Sequence, residues 1–367
     1  MPDAEPDLHF SQRALDLAAK GIGLVSPNPL VGCVIIGSNG DVVGEGHYEY
    51  DRVTHAEVAA LREAGDRASG GTAYVSLEPH SHHGRTPPCT EALIDAGIAR
   101  VVCPVEDPNP KVSGRGFERL RNAGIEVVTG ILADEASRLN ESFFCWHTND
   151  RPFVHLKLAM SLDGRISLRD SVSTALSGDM ARERVQEIRH QHDAILIGGR
   201  TARIDDPSLT DRSGRARRRP LVRVILDNSL GISPEATLVK TAVETPTLIF
   251  TNSSDQAKID LLHSAGAEVV ASKGGGRDLA EVLADLKGRG IQSVLVEGGR
   301  DIAGSFCDAR LVDKVTLIAT PIIIGGSKAP NAIGGTGAAA LPDALRLTKV
   351  AVGLLGDDVE ITGYPSA

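Results

Sequence analysis

The sequence predicts two successive α/β domains, residues 1–149 and residues 150–367. The chain of 367 residues is long enough for two hydrophobic cores, and its 41% apolar and 24% charged residues are typical of a globular protein. Short apolar strands alternate with amphipathic helices through the first half. A polar helical connector at 134–149 then precedes a new apolar strand at 153–159, so we expect the domain boundary there.

The N-terminal domain is predicted as an α/β/α layered fold with a mixed sheet. Its apolar periodicity alternates between the two repeats that are typical of strands and helices. Asn39-Gly40 marks a hairpin between the first two strands. Strands are expected at 31–36, 42–45, 72–77, 100–104 and 125–128. Helices are expected at 7–20, from 54 onward, at 89–96 and at 116–123.

The segments at 54–57 and 77–89 carry the clearest chemical pattern. The first reads Thr-His-Ala-Glu, and the second reads Leu-Glu-Pro-His-Ser-His-His-Gly-Arg-Thr-Pro-Pro-Cys. A His-x-Glu pair followed by a Pro-containing ligand segment and a Cys is the arrangement of zinc deaminases. Zinc on three protein ligands keeps a fourth position for water and lowers the pKa of that water to about 7. The Glu is not a ligand and carries the proton from water to the departing amine.

Each of these residues also has an ordinary structural interpretation. Thr54 and Glu57 have the spacing of a capping box, in which Glu57 only caps a helix. Cys89 alone fits a small core residue, although a helix first turn opened by Pro87-Pro88 favours a thiolate. His55 alone fits an exposed histidine. Their joint occurrence beside the Pro-rich segment favours a metal site.

Both segments resemble the deaminase half of the bifunctional deaminase-reductases of riboflavin biosynthesis. Two further segments, 26–35 and Asp107-Pro108-Asn109-Pro110, match the same family. The resemblance implies zinc on His55 and Cys89 and proton transfer by Glu57. It also implies substrate contacts from Asn28, His47, Arg85, Asp107 and Asn109. For the two asparagines, a turn-forming role beside proline is the alternative.

The third zinc ligand departs from the family, which usually has Cys where this chain has His80. Imidazole is a good zinc ligand, so His80 is predicted to replace the thiolate, with one negative charge fewer. His82 or His83 is the alternative ligand. Loss of zinc is the remaining alternative, and it would leave a reductase whose N-terminal domain is only structural.

The second half resembles the reductase of the same family, whose α/β fold is similar to dihydrofolate reductase. The resemblance is carried by segments 157–165, 193–201, 205–210 and 294–299. No Gly-x-Gly-x-x-Gly motif follows an early strand, so the dinucleotide site must be built differently. Glu297-Gly298-Gly299 ends a strand and turns into a helix, where exposed amides suit a phosphate. A plain strand-to-helix turn is the alternative there.

The resemblance implies NADPH as the second cofactor. Its phosphates are expected on Gly299, Arg300, Asp301, Ile302, Ala303, Gly304 and Ser305. The rest of the cofactor is expected along Ala159, Ala175, Thr201, Asp205 and Asn228. The substrate is expected to contact Ser173, Arg189, Leu209, Arg212 and Glu297. Ala175 departs from the family pattern, because relatives often carry Trp there and an aromatic wall is missing. The choice between NADPH and NADH stays open.

Two sets of charged residues complete the expectations for the second half. Lys157, Asp205 and Glu297 are the ionisable groups expected near the reacting carbon, with salt bridges as the alternative. The basic run 215–219 is interpreted as a solvated face, with phosphate binding as the alternative.

The resemblance implies a small-molecule partner, a pyrimidine ribosylamine phosphate, and a nucleic-acid base is the alternative substrate of the deaminase. A net charge of −9 and 3% aromatic residues argue against a nucleic-acid surface. No apolar run is long enough to span a membrane. Five scattered cysteines fit the reducing cytoplasm better than a disulfide framework. We expect a homo-oligomer, either a dimer or a tetramer.

Overall fold

The computed structural model describes residues 4–84, 86–170, 172 and 174–366. The chain forms two compact units, Met1–Asp150 and Arg151–Ala367, which divide one residue beyond the expected end of the first domain. None of the helices in these described residues is long and apolar enough to cross a membrane.

The first unit contains five strands and six α-helices among its described residues. The strands are β1 Gly32–Ile36, β2 Val42–His47, β3 Thr72–Val75, β4 Arg100–Cys103 and β5 Glu126–Thr129. The helices are α1 Ala4–Ala19, α2 Ala56–Ala64, α3 Cys89–Asp95, α4 Arg115–Asn122, α5 Ala133–Leu139 and α6 Glu141–Thr148. A 3₁₀ turn, Gly65–Ala68, follows α2.

These strands form one mixed sheet in the order β2-β1-β3-β4-β5. β1 is antiparallel to β2 and β3, whereas β3, β4 and β5 are mutually parallel. Successive residues of β1 point to opposite faces, so Cys33 and Ile35 pack under α2, α3 and α4. Val34 and Ile36 pack under α1 on the other face. The predicted layering of helices on both faces of a mixed sheet is therefore present.

The predicted capping box is wrong. The helix begins at Ala56, two residues later than expected, and its N-cap is His55, whose side chain makes no capping hydrogen bond. Thr54 instead forms a bridge with Glu49 and donates its hydroxyl to the Arg52 carbonyl. Glu57 therefore has no capping role in this helix.

The second unit contains nine strands and six α-helices among its described residues. The strands are β6 Phe153–Ser161, β7 Ala194–Gly198, β8 Val222–Leu226, β9 Thr247–Thr251, β10 Glu268–Ala271, β11 Ser293–Val296, β12 Lys314–Thr320, β13 Leu347–Leu355 and β14 Asp358–Pro365. The helices are α7 Asp179–His190, α8 Gly199–Asp205, α9 Thr237–Lys240, α10 Gln256–Ser264, α11 Leu279–Gly288 and α12 Arg300–Asp308. Short 3₁₀ turns occupy Gly275–Arg277 and Leu341–Asp343.

The second sheet has the order β10-β9-β8-β7-β11-β6-β12-β14-β13. Its first seven strands are parallel, and β14 and β13 add an antiparallel edge. α11 and α12 cover one face of the sheet, while α8, α9 and α10 cover the other. β11 lies between β7 and β6, so the carboxyl ends of these three strands meet at one edge. Such an edge is where open parallel sheets bind ligands.

The basic run 215–219 is only partly a solvated face. Arg217 is largely buried and donates to Asp211 and to the carbonyls of Arg189, His190 and His192. It therefore satisfies carbonyl groups at the end of α7, where a helix leaves its last carbonyls without partners.

Candidate active sites

In the first unit, three potential metal ligands converge from three separate segments. His55 precedes α2, His80 lies in the loop after β3, and Cys89 is the first residue of α3. One ligand atom from each lies within 4.8 Å of the others. Two imidazole nitrogens and a thiol sulfur are a donor set that suits tetrahedral zinc, with a fourth position left open. The residues present therefore fit the metal.

Close contact between α2 and β2 fixes the helix that carries this chemistry. A Cβ atom on Gly44 would lie 2.1 Å from the Ala60 carbonyl oxygen, and one on Gly46 would lie 2.4 Å from that of Ala56. Because no side chain fits there, the two glycines allow the helix backbone to rest directly on the strand. This contact places His55 and Glu57 at the carboxyl end of β2.

Glu57 lies beside the three ligands and is only 3% exposed. Its carboxylate hydrogen-bonds to Cys89, while its Oε2 atom is buried with no hydrogen-bond partner. Leaving a buried carboxylate oxygen unpaired is costly. An atom of this kind is therefore poised to interact with a group that the protein chain itself does not supply.

Burial and neighbouring charges shift the pKa values of two of the potential ligands, Cys89 and His80. Burial, followed by the charge of Glu57, raises the pKa of the Cys89 thiol well above its ordinary value. Without a cation the thiol form is therefore favoured, so the thiolate that was expected at this helix start depends on a nearby cation. Burial, followed by repulsion from His55, His82 and His83, lowers the pKa of His80 to about 4. His80 is consequently neutral near pH 7, which is the form that binds metals.

His82 and His83 are exposed, and neither belongs to the cluster of potential ligands in the described part of the chain. The ring of His80 contacts those of His55 and His82, with centroid distances of 4.6 Å and 5.3 Å. The Thr86 hydroxyl lies 3.0 Å from Nε2 of His55.

Four of the five expected substrate-contact residues in this unit are described, and Arg85 lies outside the described residues. Asn28 donates its amide to the Tyr48 hydroxyl at 2.5 Å, and the Tyr48 ring packs edge-on against His55. His47 is the last residue of β2. Asn28 is thus linked to His55 through Tyr48, and His47 ends the strand on which α2 rests.

Asp107 and Asn109 follow β4 and form a compact polar turn. Asp107 is buried and accepts the Asn109 backbone N–H, and Asn109 accepts the Lys111 backbone N–H. Burial raises the pKa of Asp107 to about 6, and the charge of Glu78 contributes in the same direction. The turn-forming role is therefore present, and it does not exclude a second role toward a substrate.

The second unit contains a cavity of about 390 Å³ at the carboxyl ends of β6, β7 and β11. Glycine pairs mark the ends of two of these strands: Gly198 ends β7 and Gly199 begins α8, and Gly298-Gly299 comes one residue after β11. The wall is formed by Lys157, Leu158, Ala159, Ile166, Ser167, Asp170, Val172, Thr174, Gly198, Gly199, Arg200, Thr201, Ile204, Asp205, Leu226, Glu297, Gly298, Gly299, Arg300, Asp301, Ile302 and Pro330.

A buried cluster of charges forms one side of this cavity. Arg189 donates Nε and Nη2 to the two carboxylate oxygens of Glu297, at 2.8 and 3.1 Å. The Lys157 ammonium lies 3.9 Å from the same carboxylate. Burial acts to raise the pKa of Glu297, but Lys157 and Arg189 outweigh it and lower that pKa. Burial, only partly opposed by Glu297, lowers the pKa of Lys157.

The residues expected to bind NADPH or substrate in this unit divide into three groups. On the cavity wall lie Ala159, Thr201, Asp205, Glu297, Gly299, Arg300, Asp301 and Ile302. Away from the wall lie Ala175, Arg189, Leu209, Arg212, Asn228, Ala303, Gly304 and Ser305. Ser173 lies outside the described residues.

Several residues of the second group have contacts elsewhere in the fold. The side chains of Leu209 and Ala303 are buried in the two cores of the second unit. Asn228 accepts the Gly276 backbone N–H, and Ala175 is exposed. For Leu209 and Ala303, only the backbone is left to meet a ligand.

Sequence reasoning missed the part of the wall formed by Gly198, Gly199 and Arg200. Their signal was the same as that of Gly298-Gly299, a glycine pair at the end of an apolar run. Ile166, Asp170 and Pro330 had no comparable signal, because they come from irregular segments that reach the cavity only through the tertiary fold.

Comparison with known proteins covers nearly the whole chain. The family model described as "RibD C-terminal domain" matches residues 152–361, and "Cytidine and deoxycytidylate deaminase zinc-binding region" matches residues 4–105. The riboflavin biosynthesis protein RibD of Actinobacillus pleuropneumoniae is 41% identical over 96% of this chain and 94% of its own. The chain belongs to the RibD family. The RibD of Bacillus amyloliquefaciens is also 41% identical, over 97% of this chain and 96% of its own.

Solved structures of RibD proteins have the same two-part fold. Acinetobacter baumannii RibD is 33% identical, with a TM-score of 0.85 over 99% of this chain and 100% of its own. A deaminase-reductase from Thermotoga maritima is 34% identical, with a TM-score of 0.85 over 98% of this chain and 99% of its own. The predicted fold class is confirmed.

The RibD relationship also confirms the predicted activities. The protein is a bifunctional deaminase and reductase of riboflavin biosynthesis that acts on a small molecule, with zinc and NADPH as cofactors. The alternative of a reductase with a disabled zinc site is not favoured, since the zinc-binding region matches as well.

Proposed function

We propose that the N-terminal domain, residues 1–149, removes the 2-amino group of 2,5-diamino-6-(5-phosphoribosylamino)pyrimidin-4-one, with zinc held by His55, His80 and Cys89. The observation that carries this proposal is the buried Glu57 carboxylate, whose Oε2 atom has no partner beside the cluster of three ligands. The exposure of His82 and His83 supports His80 as the third ligand.

The chemistry assigned to this unit is a hydrolysis. Zinc, when bound, activates the attacking water. Water adds to the ring carbon that bears the amino group, and Glu57 accepts a proton from it. Glu57 then returns this proton to the amino nitrogen, the C–N bond breaks, and ammonia leaves. Asn28, His47, Arg85, Asp107 and Asn109 are proposed to hold the substrate.

We propose that the C-terminal domain, residues 150–367, reduces the ribosyl group of the deaminated product to ribityl. NADPH, when bound, supplies the hydride to C1 of the sugar. The bond from C1 to the ring oxygen breaks, and that oxygen needs a proton. Lys157 is proposed to donate it, because burial lowers its pKa while Glu297 holds it at the cavity wall.

The NADPH phosphates are proposed to lie at the start of α12. Gly299 is the N-cap of this nine-residue helix, and residues 299–302 line the cavity. Backbone N–H groups at a helix start are well suited to a phosphate. Arg300 adds a positive charge on the same wall.

We also propose that the protein forms a homodimer through β13, which could pair further into a tetramer. β13 is the edge of the second sheet, and its side chains at alternate positions, Val350, Val352 and Leu354, are 52%, 69% and 75% exposed. A long apolar edge strand is normally covered, and an antiparallel pairing with a second copy covers it symmetrically. None of the five cysteines, all of which lie in the described residues, forms a disulfide, which supports a cytoplasmic location.

Replacing Glu57 by Gln should abolish deamination and leave zinc bound. The amide keeps the shape of the side chain but cannot carry a proton, so ammonia release should fall by about 100-fold or more. Metal analysis and an ammonia assay on the same sample measure both effects. Glu63→Gln, an exposed change on the same helix, is the control and should retain full activity. Activity near the wild-type level in Glu57→Gln would exclude Glu57 as the proton carrier.

Removing the imidazole of His80 should release the metal. His80→Ala leaves two ligands, and the affinity for zinc should fall by more than about 100-fold, beyond the usual effect of losing an outer-shell contact. Metal content after dialysis against a weak chelator is the measurement. The neighbouring His82→Ala should keep one zinc per chain. The reverse pattern would assign the third ligand to His82.

An aspartate in place of Gly299 should weaken NADPH binding selectively. Asp is a good N-cap, so α12 should form normally, but its charge would face the cofactor phosphates. The dissociation constant for NADPH should rise by about tenfold or more, while deamination stays unchanged. Gly288→Asp, where a side chain meets open space, controls for the added charge. Unchanged NADPH affinity in Gly299→Asp would place the phosphates elsewhere.

A charge in the middle of β13 should dissociate the proposed dimer. Val352→Asp would bury two like charges at a symmetric interface, so the molar mass from light scattering should fall to that of one chain. Leu261→Asp, at an exposed apolar position on α10, should leave the mass unchanged. An oligomer that survives Val352→Asp would show that another surface holds the copies together.

A further inference from the structure

Glu78 is a buried carboxylate that the proposed deamination does not use. It lies two residues before His80, in the segment that leads from β3 to the metal cluster, and it is only 4% exposed. Its side chain extends from this segment toward the loop between β4 and α4 and the first turn of α4. A charge in such a place is tolerated only when hydrogen bonds satisfy it.

Four backbone N–H groups donate to this one carboxylate. Oε2 accepts from Asp107 at 3.0 Å and from Gly114 at 3.0 Å. Oε1 accepts from Gly116 at 2.8 Å and from Phe117 at 3.3 Å. The donors are spread from the start of the Asp107 turn to the first turn of α4, so a single side chain holds both ends of the loop.

The first turn of α4 also contacts the backbone of the segment that carries His80. A Cβ atom on Gly116 would lie 2.0 Å from the Pro79 carbonyl oxygen, which shows that the two backbones touch next to His80. Asn109 moves with Asp107, because the Asn109 N–H donates to the Asp107 carboxylate. The segments that carry His80 and the 107–109 turn are therefore joined at Glu78.

We propose that Glu78 is a positioning residue for deamination, one that sets where Asp107 and Asn109 stand relative to the metal ligand His80. It acts through the backbone of the loop and touches neither the substrate nor the metal. The inference rests on the proposed substrate contacts of Asp107 and Asn109.

The test is Glu78→Gln, which has nearly the same shape but turns an amide NH₂ toward two of the four N–H donors. Those donors lose their acceptor, and the loop must shift to find new partners. A displacement of about 1 Å at a binding group reduces turnover efficiency by about 100-fold. We expect the KM for deamination to rise by about 10- to 100-fold, with kcat within about threefold of the wild-type value.

Zinc content and reductase activity are measured on the same preparation of the full chain. Both should be unchanged, because His55, His80 and Cys89 remain and the second unit is not altered. Glu106→Gln is the matched control, since it removes the same charge from an exposed position beside the same loop. Its KM should equal that of the wild type.

A merely structural role would produce a different pattern. Partial unfolding of the first unit would lower kcat and zinc content together and leave KM unchanged, and that result would overturn the inference. Should Glu78→Gln not fold, Glu78→Asp gives the same readout, because both oxygens remain on a side chain shorter by one carbon. Its KM should rise by a smaller factor, and an unchanged KM would again overturn the inference.

Asn109→Ala separates this inference from the proposed function. A raised KM in Asn109→Ala together with an unchanged KM in Glu78→Gln would overturn the role of Glu78 alone. An unchanged KM in Asn109→Ala would show that the turn does not bind substrate, which overturns that part of the proposed function and the inference with it. A raised KM in both variants supports the inference.

Discussion

Three largely buried glutamate carboxylates lie at or beside the two sites, and they differ in how far hydrogen bonds and ion pairs compensate them. Glu78 receives four backbone N–H groups, and Glu297 faces the side chains of Arg189 and Lys157. Glu57 alone keeps a buried oxygen atom without a partner. Removing a carboxylate from water costs several kcal/mol unless it is paired or hydrogen-bonded. Glu78 and Glu297 therefore stabilise the fold, whereas Glu57 has an oxygen atom that only a bound ligand or metal-bound water can pair with.

The position of Glu297 helps to explain where the cavity of the second unit forms. It follows β11, the strand between β6 and β7, and its partner Lys157 comes from β6. The glycine pairs at the ends of β7 and β11 have no side chains, so their backbone lines the opposite part of the same edge. The cavity consequently has a charged side, suited to a polar reacting group, and a side rich in backbone amides, suited to phosphate.

Sequence reasoning predicted the features that depend on local pattern. In the first unit, most strands and helices follow from periodicity, and the cluster of His55, His80 and Cys89 follows from the motif spacing of the two segments 54–57 and 77–89. The capping box failed because Glu57 belongs both to the Thr-x-x-Glu pattern of a helix cap and to the His-x-Glu pattern of a metal site, and only the fold shows that the helix begins at Ala56. Arg217 was missed because its carbonyl partners lie at the end of α7, in a distant segment.

With zinc held by His55, His80 and Cys89 as proposed, His80 gives the site one negative charge fewer than the Cys expected from the family resemblance. Burial lowers the pKa of His80 to about 4, so the imidazole is neutral near pH 7. Cys89 is then the one proposed ligand that can carry a negative charge, and a nearby cation is needed to favour its thiolate because burial raises the pKa of the thiol. A second buried thiolate would be a second charge in need of compensation, which the imidazole avoids.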